Sequence, residues 1–393
     1  MAPPEDHVSF RARSRRNSIV GGQAIAALQH VQDVDVPSHH QTEKSSKCLP
    51  APSEQRKVQS LNETPFDTES FTAEVYAKAS GGSETVLYLA YGSNLSAETF
   101  LGKRGIKPLA QVNVLVPELV MTFDLPGIPY SEPCFANTRY RKTQILDHLA
   151  AVNTEKVPLL ESERNPKYHK DRWKKGLVGV VYEVSREDYA HIIATEGGGA
   201  SYQDVVVDCY VLPTSRTVPE KPSTAPFKAH TLFSPAITPT PPGKPPPKSG
   251  GRISRPDPSY AQASARYLKL ITDGADEHNL PEEYKKYLYD LQPYTITSNR
   301  QRLGQFIFLA IWSPIITLLF WMQKLFAGKD GRAPPWLASM LGAMFSAVWA
   351  SYDAVFFKLF GDGERTISKD EDEEARHHRR CYETTREKES VNT

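Results

Sequence analysis

Apolar residues recur with a regular period along only part of this chain. Residues 1 to about 82 hold no sustained pattern and are rich in Ser, Gln, Glu, Pro and Lys. That predicts a disordered N-terminal arm with at most a brief helix over 23–30. The first core element begins at Thr85, where Val86-Leu87-Tyr88-Leu89-Ala90 reads as a buried strand running into Tyr91-Gly92-Ser93-Asn94. Ser96 is placed to cap a helical turn through Phe100, closed by the residues 105–108. Short strands are expected over 111–123, interrupted by Pro117, and over 134–137. The strongest strand pattern is 177–184, and a further one covers 205–212. Ser185 with Asp188 three residues on resembles a capping box, so a helix is predicted through Ile193, stopping at the glycines after Glu196. Residues 213–256 carry Pro219, Pro222, Pro226, Pro235 and the 239–247 proline run, and they read as an extended insertion without ladder or helix. Helical spacing returns over 260–271 and 282–288, with Pro281 near the start of the second.

Strands outnumber helices and no βαβ rhythm is present, so the expected class is α+β, a compact domain around a small mixed β-barrel spanning 83–295. Beyond it the pattern changes. Residues 306–322 contain no charge, with Arg300 and Arg302 before them and Lys324 after. The uncharged stretch is long enough to cross about 30 Å of hydrocarbon, and Trp321 sits near one end as an interfacial aromatic. A transmembrane helix over 303–325 is therefore predicted. A second apolar helix over 335–360, interrupted by Asp353, either crosses as the return limb of a hairpin or lies in the interface. Gly342, Ala343, Ser346 and Ala350 allow close approach of a partner helix, so helix–helix self-association is expected. Residues 361–393 read as a charged disordered tail.

Composition narrows the function class. The 393 residues are 39% hydrophobic and include 31 prolines, which suits one modest domain with flexible arms. A net charge of +1 with mixed signs gives no footprint for nucleic acid. Cys48, Cys134, Cys209 and Cys381 are too widely spaced for a metal knot or a disulfide framework, and His377 and His378 are isolated. No metal site is expected. The cysteine usage suits a reducing compartment, and residues 1–6 lack an apolar leader segment. The expected location is an intracellular membrane with the domain facing the cytosol.

The chemistry centres on two features. Successive amides in the Tyr91–Asn94 turn form a concave nest for a carboxylate or phosphate. Farther on, Glu196 precedes Gly197, Gly198 and Gly199, where a ligand can approach backbone closely; partial burial there would raise the carboxyl pKa and suit it to proton transfer. Taken alone, such a glutamate is a surface helix end, and Tyr88 is core packing. No histidine–serine or histidine–cysteine arrangement points to a nucleophile.

Tyr91-Gly92-Ser93-Asn94-Leu95 resembles the YGSNL signature of the gamma-glutamylcyclotransferase family, and Glu196 stands where that family places its catalytic glutamate, ahead of Tyr202 and a valine-rich strand. Ser264-Ala265-Arg266-Tyr267, Gly274-Ala275-Asp276-Glu277 and Leu280-Pro281-Glu282-Glu283-Tyr284 resemble its later helical motifs; Ala263 replaces a usual proline, and the proline-rich insertion is a departure. The resemblance covers about 86–292. It implies a compact α+β domain with a small barrel, no cofactor, and release of 5-oxoproline from a small γ-glutamyl compound. It further implies Glu196 as the proton carrier, Gly92, Ser93 and Asn94 as amide donors, and Tyr91, Leu95, Tyr202 and Tyr267 around the substrate. The rival expectation is a membrane-tethered, non-catalytic binding or scaffold protein on the same fold.

Overall fold

The structure is a computed structural model and describes residues 49–68, 70–71, 75, 85–141, 173–195, 203–234, 255, 257, 260–326 and 334–367. Five strands close a barrel in the order β1 (Thr85–Ala90), β5 (Leu177–Ser185), β2 (Ala110–Val116), β6 (Gln203–Val211) and β7 (Pro226–Phe233). Neighbours are antiparallel except at the closure, where β1 meets β7 in parallel through Tyr88 and His230. Gly179 on β5 permits the tight β1 contact, since a Cβ there would lie 2.5 Å from the Ala90 carbonyl oxygen.

Pro117 splits the predicted 111–123 strand into two. The chain leaves the barrel after β2 and forms a separate two-stranded ribbon, β3 (Leu119–Ile128) with β4 (Glu132–Tyr140), bulged between Thr122 and Leu125. Helix α2 (Arg186–Thr195) follows β5 directly, its first turn capped by Ser185 Oγ accepting from the Asp188 amide at 3.0 Å. Helix α3 (Ala265–Glu277) starts at Ser264, whose Oγ accepts from the Tyr267 amide, and buries Tyr267, Leu268, Ile271, Gly274 and Ala275. Helix α4 (Glu282–Tyr289) follows with Pro281 as its cap residue.

Three parts of the chain differ from the sequence expectation. Residues 213–256 are not wholly an insertion, because β7 pairs with β6 from Phe233 to Pro226. Its one proline is the first strand residue, where the missing N–H breaks no interior ladder bond. Within the expected disordered arm, α1 (Glu54–Ser60) forms, and Arg56 donates to the Thr85 oxygens at 2.8 and 3.0 Å. Within the tail expected to be disordered from 361, residues 361–367 are ordered. Asp362 and Glu364 are buried, and the Gln262 amide donates to the Glu364 carbonyl at 2.8 Å. The helix expected over 23–30 lies outside the described residues.

Two C-terminal helices are long and apolar enough to cross a membrane: α5 (Asn299–Phe326), and α6 (Pro335–Ser351), whose helical path continues to Phe360. They pair antiparallel. Arg300 donates to the Leu359 and Lys358 carbonyls at one end, Trp312 Nε1 donates to Ser351 Oγ at 3.2 Å, and Phe326 meets Trp336 at the other end. Pro314 lies inside α5 without ending it.

Candidate active site

The Tyr91–Leu95 turn forms where β1 leaves the barrel. The Leu95 amide donates to Gly92 O at 3.0 Å and the Ser96 amide to Ser93 O at 3.1 Å, so the chain reverses sharply. Asn94 Nδ2 donates to Tyr88 Oη at 2.8 Å, which locks the turn to the strand before it. Tyr88 is thus core, as expected, and also a support for the turn. Tyr91 is nearly buried, with its hydroxyl 3.4 Å from the Leu232 carbonyl on β7.

Helix α3 cradles this turn from behind. A Cβ on Gly274 would fall 2.5 Å from the Leu95 carbonyl carbon, so only glycine allows the helix this close. His278 Nε2 lies 3.0 Å from Leu95 O, and Glu277 accepts from the Ala97 amide at 2.7 Å. Burial first, with Asp273 and Glu98 nearby against the amide bond, holds the Glu277 carboxyl above the usual carboxylate range. Burial lowers the His278 imidazole, favouring its neutral form.

The front of the turn meets Tyr267 and β4. Tyr267 Oη accepts from the Ala136 amide at 3.1 Å. A Cβ on Gly92 would lie 3.4 Å from both that hydroxyl and Ala136 Cβ, so the glycine leaves the turn open toward them. Glu132, on the same strand, accepts from Ser264 Oγ at 2.6 Å and from Arg266 Nε at 2.8 Å and so fixes the start of α3. The sequence reading singled out neither Ala136 nor Glu132; both are set by strand register across distant segments.

Glu196 and Tyr202 lie outside the described residues. Their flanks are described. Thr195, the last residue of α2, receives a hydrogen bond from Arg104, which ends the helical turn Glu98–Lys103 following Ser96. The structure therefore joins the chain entering Glu196 to the segment leaving the turn. Burial first, then the Arg104 charge, lower the pKa of His191 on the same helix. On the other flank, Asp204 on β6 is buried and accepts from Tyr189 Oη at 2.5 Å and from the Phe66 amide at 2.6 Å, with His230 Nδ1 at 2.7 Å. His230 Nε2 faces Glu63 at 3.1 Å, and Arg56 pairs with Glu63 at 2.8 Å. Burial opposes the His230 charge, but hydrogen bonds to the two carboxylates raise its pKa overall. Among the described residues, no group of three or more His, Cys, Asp or Glu side chains is arranged to hold a metal ion.

A family model described as the AclK C-terminal domain matches residues 298–359, the paired helices α5 and α6. The chain is 29% identical to gamma-glutamyl cyclotransferase gliK of Aspergillus fumigatus over 71% of its own length and 89% of that protein. It is 28% identical to gamma-glutamyl cyclotransferase aclK of Aspergillus oryzae over 71% of its own length and 90% of that protein. It is 33% identical to gamma-glutamyl cyclotransferase verK of Clonostachys rogersoniana, over 37% of its own length and 70% of that protein. The chain belongs to the gamma-glutamyl cyclotransferase family. The α+β domain with its small barrel is then a cyclotransferase-type domain, and the paired helices are a second part with its own family match.

Proposed function

We propose that this protein cleaves a small γ-glutamyl compound by internal cyclisation and releases 5-oxoproline and an amine. The observation that carries the reading is the convergence at the turn. Gly92 faces Tyr267 Oη and the Ala136 side chain, while Arg104 ties the residue before Glu196 to the same segment.

In this reading the substrate's α-amine nitrogen attacks its own γ-carbonyl carbon. A C–N bond closes the five-membered ring, and the γ-amide C–N bond breaks. Glu196 takes the proton from the attacking ammonium and returns it to the departing nitrogen, a transfer worth roughly 10²–10⁴ in rate. Holding the glutamyl chain folded adds a proximity gain, because the attacking and attacked atoms belong to one bound molecule. The Leu95 and Ser96 amides are used in closing the turn. Those of Gly92 and Ser93 do not enter those bonds and would serve the α-carboxylate or the developing oxyanion, with Asn94 holding the turn's shape. Tyr91, Leu95 and Tyr202 would line the substrate, and Tyr267 would present its hydroxyl to it. No step requires a cofactor.

The protein acts from a lipid bilayer in this proposal. Only 28% and 44% of the two apolar helical windows are buried, whereas a soluble core helix would be mostly covered. Spans of 25 and 22 residues correspond to about 38 and 33 Å at 1.5 Å per residue, enough for the hydrocarbon core. The pairing of α5 with α6 favours a hairpin over a single pass, and the barrel domain faces the cytosol.

The test is release of 5-oxoproline from a panel of γ-glutamyl amino acids, peptides and amines by the full-length protein in membranes or detergent. Wild type should turn over at least one member, and Glu196→Gln should lose turnover while retaining the wild-type melting temperature. A wild-type protein that binds panel members without releasing product would establish the non-catalytic alternative instead.

A further inference from the structure

The β3–β4 ribbon stands outside the barrel and touches two different parts of the molecule. At its tip is Tyr130, fully buried and held at φ 64°, a left-handed conformation that a bulky residue adopts only when its surroundings fix it. All its polar groups are committed to the C-terminal helices and the segment that follows them. Its amide donates to Gly363 O at 2.8 Å and its carbonyl accepts from Gln305 Nε2 at 2.7 Å. Its hydroxyl donates to Gly361 O at 2.7 Å, with Phe356 O at 3.1 Å. The ring packs edge-on against Phe308 and Tyr352, and Gly363 passes so close that a Cβ there would lie 3.0 Å from it.

Two residues farther on, Glu132 turns the other way. Its buried carboxylate takes the Ser264 hydroxyl and the Arg266 guanidinium, and Ser264 in turn caps the Tyr267 amide. Four residues beyond that, Ala136 donates its amide to Tyr267 Oη beside Gly92. One ribbon therefore receives the helical pair at its tip and supplies a wall of the candidate site along its side. A parallel connection joins the same partners: the Tyr294 amide donates to Ala263 O while its hydroxyl donates to Asp362 O.

We propose that the C-terminal helical pair is a working part of the cyclotransferase site and not a detachable anchor, with Tyr130 and Glu132 as positioning residues that hold Tyr267 and the ribbon against the Tyr91–Leu95 turn. This inference rests on the cyclotransfer reading given above. Tyr130 links the ribbon to the helices, Glu132 links it to α3, and Tyr267 delivers the result to the turn. Misplacing a substrate-facing wall by a fraction of an ångström reduces turnover more than it reduces folding, because reaction depends on near-attack geometry.

The experiment uses the full chain in membranes and measures kcat and KM for 5-oxoproline release in Tyr130→Phe, Glu132→Ala and Glu132→Gln, together with melting temperature and carbonate-resistant membrane association. Tyr130→Phe and Glu132→Ala should each lower kcat tenfold or more with KM changed less than threefold. Membrane association should be unchanged, and Glu132→Gln, which still accepts a hydrogen bond, should recover most of the Ala loss. In a Tyr267→Phe background the Tyr130→Phe loss should shrink, since both act on one wall. Additive losses in that double variant, or wild-type kcat in both single variants, overturn the proposal. Should Tyr130→Phe fail to fold, Gln305→Leu removes the contact from the helical side, and wild-type kcat in that variant overturns it equally. Inactive wild-type protein across the panel counts against the cyclotransfer reading itself and is distinguished by that control.

Discussion

Gly274 on α3 and Leu95 at the end of the Tyr91–Leu95 turn are packed backbone to backbone, with space for a hydrogen and not for a methyl group. A Cβ at 274 would also lie 2.6 Å from the Ser96 amide nitrogen, and neither neighbour is a flexible side chain that can swing aside. Gly274→Ala should therefore displace the turn, destabilise the protein by about 1–3 kcal/mol as an overpacked core position does, and lower kcat/KM by more than its melting temperature alone would suggest. Differential scanning calorimetry paired with the 5-oxoproline assay checks both. An alanine variant with unchanged kinetics would show that the turn tolerates the shift.

Arg104 reaches from the segment after the turn to Thr195, the last helical residue before Glu196. Arg104→Met keeps much of the side-chain volume and removes the tie. The expected outcome is a fall in kcat of about tenfold, equivalent to about 1.4 kcal/mol of barrier, with a melting temperature within a few degrees of wild type. Full activity in this variant would mean that the end of α2 is positioned by other contacts.

The Phe66–Asp204–His230–Glu63–Arg56 network docks the N-terminal segment on the barrel, and its ionisable groups set a pH window. His230 has a raised folded pKa, so its contribution is complete below the ordinary histidine value of 6.5 and is lost as pH climbs through the folded value. For Glu63, burial opposes the charge, but His230 and Arg56 lower the pKa overall. Its contribution is present above 4.5 and disappears as pH falls through the folded value. Amide exchange over 54–71, corrected for intrinsic rates, should show protection declining on the alkaline side. His230→Gln should abolish that alkaline limb and leave the acidic one from Glu63.

The start of α5 and the end of α6 meet at Tyr130, and Arg300 at the start of α5 bonds the end of α6. In a bilayer, residue 393 and the barrel should lie on one side, with residues 327–333 on the other. Protease protection of epitopes at each terminus, with cysteine labelling at 330, reads this directly. Opposite sidedness of the two termini would exclude the hairpin.

Much of the fold was legible wherever one periodicity dominates a segment: the strands from Thr85 and Leu177, the Ser185 cap, and the uncharged run in α5. Proline misled in one place and guided in another. Pro226 marks a strand start amid proline-rich sequence, whereas Pro117 does end β2. The ordered part of the N-terminal arm was hidden because its anchors are single residues, Arg56, Glu63 and Phe66, whose partners lie more than a hundred positions away or on β1. The turn announced itself through its glycine and asparagine. The ribbon wall did not, because Ala136 contributes a backbone amide and Glu132 resembles any strand glutamate until α3 packs against it.

Thr366 donates its amide to the Gln262 side chain, and the Glu364 carbonyl receives the amide of Gln262, so the barrel-bearing half is closed by residues synthesised after both apolar helices. During translation the barrel strands emerge first, yet Gln262, ahead of the helix bearing Tyr267, gains these partners only once Glu364 and Thr366 have been made. The barrel half therefore closes last, after both apolar helices have been made.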